Sequence, residues 1–202
     1  MGDNMKLRYL VSEIKDELDL RDARREKVFI LAREVRRFST KAVRELHKAN
    51  FEAAESAIEQ AEKKLLELES GDYSFSLLQE AIQEYAEAVL TMSFLEKREP
   101  PSHKELGIPG EWYLLGLADT VGELRRHILD LIRLNKYSEV NHYLDLMDEI
   151  THEILTLDYP SAVLNIRRKQ DISRSILERT FSDVVRAEKE IEVIRKLEEL
   201  RH

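Results

Sequence analysis

The 202-residue sequence contains no cysteine. Without thiols, the protein can form no disulfide bond, no thiolate metal site and no cysteine nucleophile. Glycine and proline are also scarce, with 6 and 4 residues respectively, so few positions favour turns. Because 43% of the residues are hydrophobic and 36% are charged, the composition is typical of a helical protein whose core is covered by charged faces.

Long hydrophobic runs are absent as well. No apolar stretch is long enough to cross a bilayer, and the N-terminal residues show no apolar stretch of the signal-peptide type. We therefore expect a cytoplasmic protein that has no membrane partner. An excess of basic residues is also missing, because the net charge at pH 7 is −8. This charge argues against an open basic surface of the kind that nucleic-acid-binding proteins usually present.

Helical periodicity extends through almost the whole sequence, and no segment alternates with the period of a strand. The segments 73–97 and 111–134 are apolar nearly all round, which is typical of central helices. Turns are expected at residues 70–72, 100–101 and 158–160, and a break within the first helix is expected near Leu20. We predict an all-α fold, a bundle of about seven antiparallel helices in which residues 1–202 form a single domain.

Two pairs of acidic residues lie on the two central segments. Glu84 and Glu87 form the first pair, and Asp119 and Glu123 form the second. Each spacing places both carboxylates on one face of a helix, where like charges repel at a cost of about 0.2–0.5 kcal/mol. A buried carboxylate without a compensating charge is more costly still. Four carboxylates on adjacent helices would form an all-oxygen site suited to Mg²⁺ or Mn²⁺.

Two glycines accompany the second acidic pair. Gly116 and Gly122 would let another backbone or a substrate approach this helix closely. A glycine inside a helix costs about 1 kcal/mol relative to alanine. The presence of Gly122 therefore suggests a packing or functional reason.

The acidic pairs have a plainer interpretation, in which they form ion pairs with Arg or Lys on other helices. A di-iron site of the ferritin type is a further alternative, because Glu139 and His142 share the spacing of Glu149 and His152. That site needs its two motifs on facing helices. Here both motifs fall on one segment and lie about 80° apart in helical phase, so they cannot meet across a core within one chain.

A basic stripe follows the first helix opposite its apolar face. It consists of Arg33, Arg37, Lys41, Arg44 and Lys48. Such a stripe is usually a solvated face, but it could also bind phosphates. A second basic group at residues 167–169 has the same two interpretations.

The two acidic motifs resemble those of the translin family. The first reads Gln-Glu-Tyr-Ala-Glu-Ala-Val at 83–89, and the second reads Gly-Leu-Ala-Asp-Thr-Val-Gly-Glu-Leu at 116–124. They are closer to translin-associated factor X (TRAX) than to translin. Residues 15–28, the stretch from Arg33 to His47 and, more loosely, Arg167 with Ser175 agree with the family. The similarity covers most of the chain, and the acidic motifs are its specific part.

The resemblance implies a roughly seven-helix fold that assembles into closed octamers. It also implies binding of single-stranded RNA or DNA, or of short duplex RNA, inside the shell. TRAX-type subunits are Mg²⁺-dependent endoribonucleases, whereas translin subunits lack the acidic set. By position, Glu84, Glu87 and Asp119 match the catalytic carboxylates, and Glu123 matches a fourth nearby acid.

This sequence departs from the family in lacking the long insert before the second motif and a basic N-terminal tail, so a homo-octamer is the simplest assembly. An acidic exterior around a basic interior would reconcile RNA binding with the charge of −8.

We therefore expect an endoribonuclease in which the four acids hold one or two Mg²⁺ ions, with Mn²⁺ as a substitute. The ion would lower the pKa of a bound water and stabilise the charge that develops on the phosphodiester. The RNA-binding residues would be Arg33, Arg37, Lys41 and Arg44, which would position phosphates without reading sequence. Two other functions remain open, a non-catalytic RNA- or DNA-binding shell of the translin kind and a plain oligomerisation scaffold.

Overall fold

The structure, a computed structural model, describes residues 2–68 and 76–200, without the side chains of residues 2–6, 194, 198 and 199. Within these ranges the chain forms six α-helices and a short 3-10 helix, and no strand. The helices are α1 (Gly2–His47), α2 (Phe51–Leu65), α3 (Ser76–Leu95), α4 (Gly110–Arg133), α5 (Val140–Leu155) and α6 (Arg167–Glu199), with the 3-10 helix at Tyr137–Glu139. The predicted all-α class is confirmed, whereas the turn expected at 70–72 lies outside the described residues.

The first helix is continuous, so the break predicted near Leu20 is wrong. Apart from Gly2, α1 contains no glycine or proline that could interrupt its backbone hydrogen bonds. Its apolar pattern fades there because residues 7–27 are all exposed, and the first buried residue is Val28. Loss of periodicity therefore marks the end of packing in this helix and not the end of the helix.

Three helices end in the same way, with a left-handed residue just beyond the last turn. These residues are Ala49 (φ 56°), Lys97 (φ 56°) and Asn135 (φ 58°). In each case the next backbone N–H donates to a carbonyl five residues earlier, at 2.9 Å, which is the Schellman arrangement. After the first of these ends, Asn50 begins α2 by accepting a hydrogen bond from the Ala53 N–H, as its residue type predicts.

The helices around the centre of the molecule run in the same direction, so the predicted antiparallel arrangement is wrong for α1, α3 and α4. Arg36 on α1 contacts Glu84 on α3, whereas Leu46, ten residues later, shares a buried cluster with Met92. Along α3 and α4, Leu78 clusters with Trp112 near the helix beginnings, and Phe94 clusters with Ile128 near their ends. The loop between α3 and α4 must therefore return along the length of the bundle.

The remaining helices complete the bundle. Lys64 on α2 bonds to Glu34 on α1, so these two consecutive helices are antiparallel. Toward the other end of the chain, α5 and α6 are likewise consecutive, and Gln170 near the start of α6 donates to the Ile154 carbonyl near the end of α5. No helix in the described ranges is long and apolar enough to span a membrane.

Gly116 marks the closest approach of α3 and α4. A Cβ atom at this position would lie 2.7 Å from the Ala86 Cβ, 2.7 Å from the Gln83 carbonyl oxygen and 3.0 Å from the Glu87 nitrogen. The two neighbours at 2.7 Å are a methyl group and backbone, which cannot rotate away. The expectation that Gly116 admits another backbone is confirmed, and that backbone belongs to α3.

Replacing Gly116 with alanine should push α3 and α4 apart. We expect a loss of about 1–3 kcal/mol in the free energy of unfolding, the usual cost of overpacking a core, measured by urea denaturation. Gly122→Ala in the same helix is the matched control, because no atom lies within 4 Å of a Cβ at that position. An equal loss in both variants would contradict the close-approach explanation.

Candidate functional site

The four predicted carboxylates line one cavity. This cavity has a volume of 400 Å³ and lies between α1, α3 and α4. Its lining residues are Arg36, Ser39, Thr40, Val43, Gln83, Glu84, Glu87, Asp119 and Glu123. The parallel course of α3 and α4 brings the two acidic pairs to the same level of the bundle, so residues 36 positions apart in sequence face one space.

Two of the carboxylates are paired with cations from other helices. The Arg36 Nε of α1 lies 2.8 Å from the Glu84 Oε1, and the Lys169 Nζ of α6 lies 2.5 Å from the Asp119 Oδ1. Neutral donors complete these contacts, because Thr40 donates to the Glu84 Oε2 at 3.2 Å and Gln83 donates to the Asp119 Oδ2 at 2.5 Å. The plainer interpretation of the acidic pairs is therefore correct for one member of each pair.

Glu87 has no such partner. It forms no ion pair or side-chain hydrogen bond with the described residues, and it is partly buried between the other three acids. Burial raises the pKa of its carboxyl to about 8, and the charges of Asp119, Glu123 and Glu84 add to the effect while Lys169 opposes it. Near neutral pH this carboxyl is therefore mostly protonated as long as no further positive charge enters the cavity.

Glu123 faces a histidine instead of a cation. The His47 Nε2 lies 2.7 Å from the Glu123 Oε2, with side chains 12% and 21% exposed. The alignment is not that of a hydrogen bond, and neither buried atom has another partner in the described structure. Burial raises the pKa of Glu123 and lowers the pKa of His47, so burial disfavours the charged form of each group in this contact.

The donor chemistry of the cavity suits a hard divalent cation, since all four acids offer oxygen ligands. In their present rotamers, however, no three carboxylate or imidazole groups of the described residues surround a common point. Arg36, Gln83 and Lys169 hold Glu84 and Asp119 in other directions. A cation would therefore have to displace at least the Lys169 ammonium from Asp119 before these residues could act together.

The predicted RNA-binding residues lie beside the cavity and not in it. Arg33, Arg37, Lys41 and Arg44 are all exposed, and none lines the cavity. The guanidinium of Arg33 stacks over Phe29 at 4.9 Å, and that of Arg37 lies 3.5 Å from Glu34. Successive residues of a helix are turned by about 100° around its axis. The four basic residues are therefore turned by roughly 60–140° from Arg36, which faces the acids.

Sequence reasoning missed the residues that contact the carboxylates. On α1 these are Arg36, Thr40 and His47, whose spacing of four and seven residues keeps them on one strip of the helix. This spacing was visible in the sequence, between the apolar and basic stripes. The role of Lys169 had no such signal, because only the packing of α6 against α4 shows which carboxylate it reaches.

The two Glu–His motifs of the ferritin alternative lie far apart in phase, as expected. His142, Glu149 and His152 are exposed on α5, and Glu139 is in the preceding 3-10 helix. They do not line the acidic cavity.

Comparisons with known proteins place this fold and cavity in a family. No protein-family model matches the chain. The chain is 35% identical over 185 residues to the uncharacterized protein MJ0175 of Methanocaldococcus jannaschii, a match that covers 89% of this chain and 82% of that protein. The structure of AfC3PO in complex with duplex RNA superposes with a TM-score of 0.81 at 27% identity, covering 88% of this chain and 96% of that one.

The chain belongs to the translin family. It is a homologue of the C3PO proteins, the complexes of translin and TRAX. AfC3PO alone gives a TM-score of 0.79 at 28% identity with the same coverage. NeC3PO gives 0.78 at 17% identity, which shows the shared fold alone. The family resemblance predicted from the two acidic motifs is thus confirmed.

The buried carboxyl of Glu87 should make the metal-free protein less stable as pH rises. Its pKa is about 8 when folded, against an ordinary value of 4.5. Between pH 4.5 and about 8, Glu87 therefore holds a proton in the folded state that it loses in the unfolded state. The contribution of this proton to the free energy of unfolding is complete below pH 4.5 and is lost as pH rises through about 8. Glu87→Gln should reduce this slope by up to about 1.4 kcal/mol per pH unit.

The measurement is urea unfolding in EDTA between about pH 5 and pH 8. Glu111→Gln is the control, because Glu111 is exposed at the beginning of α4. A Glu87→Gln protein with the wild-type pH slope would show that Glu87 is not the group responsible.

Proposed function

We propose that this translin-family protein is a Mg²⁺-dependent endoribonuclease that binds single-stranded or short duplex RNA and hydrolyses its phosphodiester bonds. One observation carries the proposal: four carboxylates from two helices line one cavity, and one of them, Glu87, has no compensating charge. A site that served only to stabilise the bundle would gain by pairing or removing this group.

Glu84, Glu87 and Asp119 would hold the cation, and Glu123 would be a further ligand or would support the others. Mg²⁺ and Mn²⁺ are the ions that suit such an all-oxygen set. When bound, the ion would supply the positive charge that Glu87 lacks and would offset negative charge on the reacting phosphodiester.

In this proposal the cationic side chains that pair with the acids of the metal-free cavity also bind substrate. Arg36 and Lys169 neutralise Glu84 and Asp119 in the metal-free cavity. Once released from these carboxylates, the guanidinium and the ammonium would hold phosphate oxygens of the substrate at the cavity. Arg suits this role because its planar fork matches two phosphate oxygens at once.

RNA as the substrate is supported by the solved complex of AfC3PO with duplex RNA. In this chain the exposed stripe of Arg33, Arg37, Lys41 and Arg44 lies next to the cavity along α1. We propose that these residues contact flanking phosphates, which would give affinity without base specificity. Single-stranded DNA would satisfy the same contacts.

Self-association, with a homo-octamer as the expected form, is supported by the exposed half of α1. Large apolar side chains on this half are left uncovered in the single chain, and their spacing is typical of helix–helix contacts. They are Leu7, Leu10, Val11, Ile14 and Leu18. Native mass spectrometry of the purified protein measures the number of subunits directly.

Loss of single carboxylates should abolish RNA cleavage. We expect Glu84→Gln, Glu87→Gln and Asp119→Asn each to lower the rate of cleavage of a labelled single-stranded RNA with Mg²⁺ by at least about 100-fold, since each removes an anionic cation ligand. Glu111→Gln is the control and should cleave at the wild-type rate. Undiminished cleavage in both Glu84→Gln and Asp119→Asn would refute the assignment.

Removal of the competing ammonium should strengthen cation binding. In Lys169→Met, Asp119 no longer has its 2.5 Å partner, so a divalent cation does not have to displace a charge. We expect Mn²⁺ to bind this variant at least about threefold more tightly than the wild type by calorimetry, which corresponds to roughly 0.7 kcal/mol. Weaker Mn²⁺ binding would mean that Lys169 supports the cation site instead of competing for it.

A non-catalytic RNA-binding protein is the second candidate. The observation in its favour is that Arg36 and Lys169 already neutralise two of the four acids, so the chain itself supplies part of the charge balance that a cation would supply. Cleavage that stops in EDTA and returns with Mg²⁺ supports the nuclease, whereas tight RNA binding without cleavage in Mg²⁺ or Mn²⁺ supports the second candidate.

A further inference from the structure

Gly122 lies inside α4 without any packing reason. A Cβ at this position would meet no atom within 4 Å, in contrast to Gly116 six residues earlier. Glycine is the costliest residue in a helix interior after proline, at about 1 kcal/mol relative to alanine. The protein therefore keeps a destabilising residue at a place where its own described residues leave room for a side chain.

The position of Gly122 connects it with the acidic cavity. Asp119, Gly122, Glu123 and Arg126 fall within an arc of about 100° on the surface of α4. Asp119 and Glu123 line the cavity, so Gly122 lies at its edge. Just beyond this edge α6 packs against α4, where Ser173 donates to the Ala118 carbonyl and Arg125 donates to Thr180.

The four residues from Asp119 to Arg126 named above form a strip along α4, and Arg126 at its end carries a positive charge without a partner in the described residues. Its side chain is exposed, and it forms no ion pair or hydrogen bond with the described residues. The charge still reaches the cavity, since it opposes the rise in the pKa of Glu123 and adds to the fall in the pKa of His47 that burial causes. An exposed guanidinium without a partner in the described residues is available to bind a phosphate of a polyanion that enters the cavity.

We propose that the surface of α4 over Gly122 is a binding subsite for the RNA backbone, in which the sugar–phosphate chain passes over the bare helix and Arg126 binds the phosphate that flanks the scissile one. This inference rests on the proposed function, because it takes the acidic cavity as the cleavage centre. Asp119 and Arg126 are seven residues apart, or about 10.5 Å along the helix axis, so the strip has room for a flanking phosphate.

The strip is continuous with the cavity, and it combines helix backbone that no side chain covers at Gly122 with the positive charge of Arg126. A nucleic acid strand matches this combination better than a protein partner does. Because Gly122 has no side chain, the strand can approach the backbone of α4 closely. Arg126 then binds a phosphate without losing an existing partner, so no ion pair has to be broken.

Substitutions at Gly122 should change stability and RNA binding in opposite directions. We expect Gly122→Ala to raise the Tm by about 2–4 °C, because it improves helix propensity in open space. RNA affinity should nevertheless fall as the side chain grows, by about threefold for Gly122→Ala and at least about tenfold for Gly122→Leu, which is roughly 1.4 kcal/mol. Fluorescence anisotropy with a labelled single-stranded oligoribonucleotide in EDTA measures this without cleavage.

Arg126→Gln tests the phosphate contact separately. We expect about tenfold weaker binding in EDTA and a reduction of about one in the slope of log K against log salt, as for the loss of one phosphate contact. Ser56→Leu and Lys63→Gln on the exposed face of α2, which contributes nothing to the cavity, are matched controls for added bulk and lost charge. Both should bind RNA as the wild type does.

Three results would overturn the inference. They are wild-type RNA binding by Gly122→Leu, a lower Tm for Gly122→Ala, and a change in native mass of Gly122→Leu, which would assign the open strip to a subunit contact.

The two proposals, the cleavage centre and the subsite, can be tested separately. If Glu84→Gln and Asp119→Asn still cleave RNA, the cleavage centre is wrong while the binding results in EDTA stand; if these variants are inactive and Gly122→Leu binds normally, only the subsite is wrong.

Discussion

The close contact between α3 and α4 at Gly116 sets the geometry of the whole site. The backbones can approach because this position has no Cβ, and the two helices run in the same direction because the intervening loop returns along the bundle. One acidic pair thereby reaches the level of the other, and like charges are forced into one small space. The ion pairs and the raised pKa of Glu87 both follow from this contact, because packing brings the four carboxylates into one cavity.

The protein compensates only part of this charge with its own side chains. Arg36 and Lys169 come from two different helices and each neutralises one acid. Burial raises the pKa of Glu123 and raises that of Glu87 to about 8, so both ionised forms are disfavoured. The charge of the metal-free cavity therefore depends on pH. An entering cation would compete with the Lys169 ammonium for Asp119 and with a proton for Glu87. Cation affinity would therefore depend on Lys169 and on pH.

Much of the site could be predicted from sequence, because spacing within a helix fixes which residues share a face. Glu84 with Glu87, and Asp119 with Glu123, were identified in this way, and the family resemblance placed the two pairs together. Spacing cannot show which helices are neighbours, so it could not assign Lys169 to Asp119 or Arg36 to Glu84. The break expected in α1 failed for another reason: an amphipathic pattern reports packing, and a helix can continue beyond the body that it packs against.

The shared direction of α1, α3 and α4 has a consequence at their far ends. The carboxyl ends of these three helices gather on the same side of the molecule, and the amino ends of α2 and α5 lie there too, so the partial negative charge of the three dipoles is offset only in part. Each of these ends carries a lysine at or next to its left-handed residue, namely Lys48, Lys97 and Lys136. The bundle thus has a polarity along its axis, with three ammonium groups balancing the end at which the three helices terminate.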